Sequence, residues 1–358
     1  MARLSGLCVV VAGAGAIGHV LALRLLDEGA RVILADPAPL GANASGVAAG
    51  MLAPAFEAAL DPLASGHFPL LKAARDLWPA LARRLAPFGA DLDRSGALWV
   101  GDEGSNTAML QQLADLGAEA ELISRAAAEK ITPGLFAPAG AVLTPEDWTI
   151  EPSAVLAALR AALAAAGGQV RPAAVTAWRG GVAALADGDM APADILVLAT
   201  GFLAPGLGLP PPELQRLQPI KGQIVSLEAD APRGGPVVRA EGIYVVPRAS
   251  GPVAGATMEA GVRDLAIDLE ASQRLKAAAA GLFPALARAA ATGSAGVRAS
   301  TPDGLPLVGE SRVSGIRLAV GARRNGWLLA PLIAQITADQ LAGGDGGDFA
   351  ALFGPSRF

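Results

Sequence analysis

The sequence predicts an α/β protein: a Rossmann-like nucleotide-binding domain, discontinuous in the chain, carrying an α+β antiparallel insertion. Three observations carry this. An apolar run at 7–12 enters a G-x-G-x-x-G turn at Gly13, Gly15 and Gly18, a helical pattern follows, and a second apolar run at 31–35 ends in Asp36. Far downstream, residues 195–199 are apolar throughout and stop at Thr200-Gly201, as suits a parallel strand covered on both faces. Residues 220–295 then alternate like antiparallel strands around one long helix.

The glycine turn has a physical reading at each position. The first two glycines let the backbone turn tightly and approach a pyrophosphate, and the third lets the helix pack closely on the strand. The helix N-terminus offers N–H groups and partial positive charge to phosphates. Asp36 stands 18 residues after Gly18, near the ~20 expected of an acid that bonds a ribose hydroxyl. The motif alone does not choose between NAD and FAD.

After Asp36, residues 43–54 are mostly small. They fit an ordinary loop feeding a helix, or backbone laid flat against a planar cofactor, and the residues leave these two readings even. Residues 68–84 have helical spacing, with Pro79 weakening the middle. Residues 91–100 read as a hairpin strand, 106–116 as a helix stopped by Gly117, and 121–131 as mostly a short helix. A helix follows at 153–166, with Pro152 at its first position and Gly167-Gly168 as terminator. Residues 169–178 and 181–185 look like paired strands. Pro205, Pro210, Pro211, Pro212 and Pro219 mark 203–219 as the best linker candidate. Residues 222–228, 242–248 and 252–257 read as antiparallel strands, and 269–283 as a helix. Beyond 297, prolines and glycines surround a few polar groups. A strand at 316–320 and a loop at 321–326 lead to a helix at 329–341 with Pro331 in its first turn. That helix N-terminus can stabilise negative charge. The tail after Gly343 is expected to be loosely held.

Composition narrows the function. A chain of 358 residues suggests about two domains. The net charge of −5 and the lack of a basic run argue against nucleic acid and anionic membranes. No uninterrupted apolar run reaches the ~18 residues of a membrane span. The apolar stretch after Arg3 is taken up by the glycine turn rather than a signal peptide, so a cytoplasmic location is expected. Cys8 is the single cysteine, which rules out an internal disulfide or a cysteine metal cluster, and it is read as a small buried hydrophobe. His19 and His67 are the two histidines, a poor basis for a metal site or a Ser-His-Asp triad. His19 is read as a polar helix residue. No metal is expected.

Further motifs complete the pattern: Ser45-Gly46 with Ala48-Ala49-Gly50-Met51-Leu52, Asp147-Trp148-Thr149-Ile150-Glu151-Pro152, Ala199-Thr200-Gly201, Lys221-Gly222-Gln223, Tyr244-Val245-Val246-Pro247-Arg248, Thr301-Pro302-Asp303-Gly304-Leu305-Pro306 and Arg324-Asn325-Gly326. In this order, over about residues 5–342, the chain resembles FAD-dependent D-amino-acid-oxidase-like enzymes, and within them the glycine-oxidase branch. The resemblance implies a Rossmann-like FAD-binding domain at 1–85, 141–217 and 296–345, and an antiparallel-sheet substrate domain at 86–140 and 218–295. It implies non-covalent FAD, hydride transfer from a substrate Cα to flavin N5, and release of an imine that hydrolyses. Oxygen would be the acceptor, yielding peroxide. The flavin supplies the chemistry while the protein binds, orients and tunes. No histidine base, thiol or metal is then needed.

Residue by residue, the resemblance assigns cofactor contacts to Gly13, Gly15, Ala16, Ile17, Gly18, Asp36, Ser45, Ala48, Ala49, Gly50, Met51, Leu52, Val175, Ala199, Thr200, Gly201, Arg324, Asn325, Gly326, Trp327 and Leu328. Arg298 matches the arginine that grips the substrate carboxylate, a geometry its guanidinium fork suits. Tyr244, the single tyrosine, matches the tyrosine bonding that same carboxylate. Met258 matches a pocket-lining methionine and Arg324 a further active-site arginine. Either Arg323 or Arg324 could face the flavin, and Arg248 could be a strand-end surface charge. Asp36 replaces the more usual glutamate, and Ala322-Arg323 stand where relatives more often carry an aromatic or a histidine. The expected partners are a small amino acid or amine and a homo-oligomer. Glycine is the favoured substrate, ahead of sarcosine or a D-amino acid, with a dehydrogenase or a non-catalytic FAD-binding protein as further alternatives.

Overall fold

In the computed structural model, which describes residues 3–202, 210–229 and 234–358, the nucleotide-type sheet has six strands. Their order is Leu307–Glu310, Ile316–Val320, Ile195–Leu198, Cys8–Ala12, Arg31–Ala35 and Gln169–Arg171. All neighbours are parallel except the Leu307–Glu310 edge. Val10 lies opposite Ile33 on one side and Leu196 on the other. Successive side chains of a strand point to opposite faces. Val9 and Val11 accordingly pack in the core with the helices Ala16–Asp27, Pro152–Ala165 and Gly326–Leu341. Val10 and Ala12 pack instead with an antiparallel meander of Val175–Arg179, Val182–Leu185 and Met190–Pro192. Both faces are covered, which is why these strands are apolar without alternation.

The second sheet is mixed and has nine strands. Its order is Glu259–Ala260, Gln218–Glu228, Val253–Gly255, Ile243–Val246, Val237–Ala240, Ala97–Trp99, Ala141–Thr144 and Glu121–Ile123, with Ala290–Ser300 along the free side of Gln218–Glu228. That last pair runs in unbroken register from Gln218 opposite Ser300 to Glu228 opposite Ala290. One face packs on the helix Leu269–Leu282, where Leu275 and Ala279 meet Val225, Leu227 and Ala254. Ile224, Val246 and Val253 turn to the other face and join the main core. Ala141–Thr144 and Ala290–Ser300 are both members of this sheet, so the expected boundaries at 141 and 296 do not follow sheet membership.

Several local expectations are corrected. Residues 68–84 form two helices, Phe68–Asp76 and Trp78–Leu85, because Pro79 has no N–H to continue the first. Residues 91–100 are no hairpin: Leu92–Asp93 joins a small sheet with Trp148–Ile150 and Met51–Leu52, and after Gly96 the chain enters the nine-stranded sheet. Residues 121–131 split into the strand Glu121–Ile123 and the helix Arg125–Ile131, capped by Ser124. Residues 169–178 break at Pro172 into an edge strand and the first strand of the meander. The linker expected at 203–219 falls partly outside the described residues; Pro212–Arg216 is a short 3-10 turn and a strand begins at Gln218. The last long helix starts at Gly326, so Pro331 lies in its second turn. The tail is held, with Phe353 fully buried and Arg357 paired to Asp303 at 2.7 Å. Cys8 is half-buried and donates its thiol to the Pro192 carbonyl at 3.3 Å. His19 is fully buried: its Nδ1 donates to the Gly15 carbonyl at 3.2 Å and its Nε2 accepts from Arg160 Nε at 3.4 Å.

Candidate active site

At the C-terminal ends of the parallel strands, the glycine turn is enforced sterically. A Cβ on Gly13 would lie 2.4 Å from the Ala199 carbonyl oxygen, and one on Gly18 would lie 1.8 Å from the Gly13 carbonyl oxygen. Ala199, Thr200 and Gly201 thus form a wall against the turn, continuing the strand Ile195–Leu198. The helix Ala16–Asp27 begins there, with Ala16 N–H donating to Ser45 Oγ at 2.9 Å and Ile17 in its first turn. Asp36 accepts from Ala14 N–H at 2.6 Å and from Ala38 N–H at 2.8 Å, one on each oxygen. A carboxylate has about four acceptor sites, so two remain for ribose hydroxyls. A backbone cradle that side chains would fill, a helix N-terminus and an acceptor pair fit the diphosphate and ribose of a dinucleotide.

Against one face of the nine-stranded sheet lies a cavity of about 350 Å³, within the size range of small-molecule sites. Ala48, Ala49, Gly50 and Met51 line it from one side and Arg324, Asn325 and Trp327 from another. The segment left ambiguous in the sequence resolves into a short helix, Ala44–Val47, then backbone running along the cavity. Gly50 adopts φ +73°, and a Cβ there would meet the Ile150 carbonyl oxygen at 2.2 Å. Gly326 opens the last helix at this edge. Leu52, Leu328 and Val175 do not line the cavity; their side chains are core.

The nine-stranded sheet supplies the opposite wall. Arg239 pairs in register with Tyr244, Tyr244 with Gly255, and Gly255 with Ile224; Gly222 pairs with Gly296, two residues before Arg298. All of these face one side of the pleat. The glycines are needed: a Cβ on Gly222 would fall 2.0 Å from the Arg298 guanidinium, and one on Gly255 would fall 2.5 Å from the Tyr244 hydroxyl. Arg298 and Tyr244 therefore lie flat across a glycine floor. Burial pushes the Tyr244 pKa up, against the pull of Arg298, Arg239, Arg324 and Arg248, so the phenol keeps its proton and can donate. Burial pulls the Arg298 pKa down while Tyr244 opposes this. Met258 stands at the cavity edge, 44% exposed.

Sequence reasoning missed the acids that hold this site. Glu57 and Asp61 come from the helix Pro54–Leu60 and its end, and both are buried. Arg324 donates to Glu57 at 3.1 Å and approaches Asp61 at 3.6 Å, while Arg323 pairs with Asp61. Arg323 has φ +49°; both guanidiniums approach the same Asp61 oxygen, and of the two Arg324 lines the cavity. Asp147 accepts from the N–H groups of Ala55 and Phe56 at 2.8 and 3.2 Å. It anchors that helix, and burial raises its pKa to about 6. Arg248 is no free surface charge: it donates to the Ala48 carbonyl at 3.1 Å and pairs with Glu151 at 3.2 Å. Arg239, only 3% exposed, was also missed. The available signal was a lone charge inside an apolar run, as in Val237-Val238-Arg239-Ala240 and Pro54-Ala55-Phe56-Glu57-Ala58-Ala59-Leu60.

Comparison with known proteins agrees with this architecture. The family model described as FAD dependent oxidoreductase (DAO) matches residues 8–340. Glycine oxidase of Geobacillus kaustophilus is 30% identical over 354 residues, covering 92% of each chain. A provisionally named thiamine biosynthesis oxidoreductase ThiO of Rhizobium etli is 31% identical, covering 93% of this chain and 96% of that protein. The crystal structure of the Geobacillus kaustophilus glycine oxidase superposes with a TM-score of 0.84, at 29% identity and 98% coverage of both chains.

Proposed function

The chain belongs to the DAO family of FAD-dependent oxidoreductases, and we propose that this amino acid oxidase acts on glycine and similarly small amino acids or amines. The observation that carries the reading is the placing of a half-buried guanidinium, Arg298, and a protonated Tyr244 on one glycine floor lining the cavity. That is a clamp for a carboxylate. Arg298 offers two parallel N–H donors, and Tyr244 Oη donates a third hydrogen bond while retaining its proton. FAD held here would supply the acceptor for the hydride that leaves the substrate Cα. The rest falls to this chain. Gly13, Gly15, Gly18, Ser45 and Asp36 would hold the diphosphate and ribose. Ala48 to Met51 and Asn325 to Trp327, which border the cavity, would hold the ring system, and the N-terminus of Gly326–Leu341 would offer it positive potential. The clamp fixes Cα so that little orientational freedom remains to be lost.

On this reading oxygen is the acceptor and the imine hydrolyses to glyoxylate and ammonia. Likeness to a protein named for thiamine biosynthesis supports a role in making the thiamine thiazole. A second reading, a larger D-amino acid or an N-substituted glycine such as sarcosine, is favoured by the exposure of Met258, which leaves one cavity edge open.

The test is the absorbance of the purified protein under anaerobic titration with glycine, followed by a peroxide assay. A flavin spectrum that bleaches with glycine, then peroxide in air, is expected. Arg298→Ala should keep FAD and raise KM for glycine on the order of 100-fold, as expected for a charged contact worth about 3 kcal/mol. An unchanged KM overturns the clamp.

A further inference from the structure

Three arginines line the cavity, Arg239, Arg298 and Arg324, against two glutamates, Glu57 and Glu241. Asp61 is taken by Arg323, and Glu57 Oε1 accepts from Arg324. Arg248 is taken by Glu151, and Asp147 by the helix N-terminus at Ala55 and Phe56. Among the described residues that line the cavity this leaves two guanidiniums with no hydrogen-bonded carboxylate, the half-buried Arg298 and the buried Arg239. The nearest acid to Arg239 is Glu57 Oε1 at 3.6 Å, the oxygen already engaged by Arg324. Arg239 otherwise meets Met51 Sδ at 3.2 Å and the Phe56 ring, and its Nε is buried without a partner. Glu241 also lines the cavity, but it sits exposed at the hairpin turn, where water screens it.

A guanidinium that is 97% removed from water, lines a cavity, has an unpartnered Nε and shares its ion-pair acid, Glu57 at 3.6 Å, with Arg324 is a costly arrangement unless a ligand completes it. Its place is also suggestive. Arg239 is directly opposite Tyr244 across the sheet, on the side away from Arg298. Arg298, Tyr244 and Arg239 line one cavity, so a ligand whose carboxylate lies on Arg298 and Tyr244 can reach Arg239.

We propose that Arg239 is a specificity-determining residue that receives a second carboxylate, making the preferred substrate an amino acid with two acid groups. The inference rests on the amino acid oxidase reading above. The second carboxylate can be carried on Cα, as in D-aspartate or D-glutamate, or on nitrogen, as in N-(carboxymethyl)glycine. Both present the same group to Arg239, and the open edge at Met258 leaves room for either.

The test compares kcat/KM for glycine, D-aspartate, D-glutamate and N-(carboxymethyl)glycine in the holoenzyme and in Arg239→Gln. In parallel, succinate and propionate are titrated against the flavin absorbance, which reads binding without turnover. At least one dicarboxylate is expected to exceed glycine by tenfold or more, and succinate to bind at least tenfold more tightly than propionate. In Arg239→Gln both ratios should fall by tenfold or more. A preference for the D-amino acids places the second carboxylate on Cα, and a preference for N-(carboxymethyl)glycine places it on nitrogen. Glycine leading all three diacids, or succinate binding no better than propionate, overturns the proposal while leaving the oxidase reading intact. If no amino acid reduces the flavin, it is the oxidase reading that fails, and the succinate-to-propionate ratio still decides the role of Arg239. Should Arg239→Gln not fold, the wild-type ratios decide alone.

Discussion

At the scale of single residues, the site depends on side chains that are absent. Gly222 leaves the space in which the Arg298 guanidinium lies, since a Cβ would come within 2.0 Å of it. The clashing atoms are the far end of a flexible side chain, so the fold can absorb the change while the clamp cannot. Gly222→Ala should keep a cooperative thermal transition within about 2 °C of wild type, because the strained atoms can swing aside. KM for glycine should rise tenfold or more. An unaltered KM would mean that Arg298 does not need its position over Gly222. Lys221-Gly222-Gln223 could be singled out in the sequence as a motif, yet its purpose could not. Which side chain crosses a glycine is a matter of strand register, and Gly222 meets Arg298 only because residues 218–228 and 290–300 pair in one unbroken run.

At the scale of elements, the glycine-turn helix is tied to its neighbour by a buried histidine. His19 on Ala16–Asp27 faces Arg160 on Pro152–Ala165, and burial lowers its pKa from 6.5 to about 4, with the Arg160 charge contributing. The unfolded chain therefore takes up a proton between pH 6.5 and 4 that the folded chain refuses. Stability is full above pH 6.5 and falls as pH drops toward 4, by about 3 kcal/mol from this group. Urea unfolding at pH 7 and pH 4.5 should show that loss, and His19→Gln should flatten it by a similar amount. Equal pH dependence in both proteins would remove His19 as the cause. The helix itself is legible from the motif and its apolar spacing. That His19 is buried is not, because the pattern of one helix does not reveal which of its faces a second helix will cover.

At the scale of the whole molecule, distant segments close the structure. The last residues return to the Thr301–Pro306 loop, where Arg357 pairs with Asp303 and also donates to the Leu305 carbonyl at 2.7 Å. Phe353 fills a fully buried position. Ending the chain after Gly343 should lower the thermal midpoint by on the order of 5–10 °C, the scale of losing one buried aromatic. A midpoint unchanged within 1 °C would show that the tail adds nothing. The sequence alone suggested a loose tail, because a short segment rich in Gly and Asp carries no periodicity of its own; its order comes from the surface it lands on.

Local chemistry let the sequence by itself determine a good deal: the glycine turn with its flanking strands, the acid at Asp36 and the buried strand before Gly201. Each is written in a few consecutive residues, where backbone sterics or an apolar run speak directly. Only the tertiary structure decided how those pieces share a cavity. It supplied Glu57 and Asp61 to hold Arg324 and Arg323, chose Arg324 over Arg323 for the wall, and set Arg239 opposite Tyr244 with only a share of Glu57. Charge pairing and strand register depend on contacts between residues far apart in sequence, and no local pattern encodes which distant side chain will be opposite.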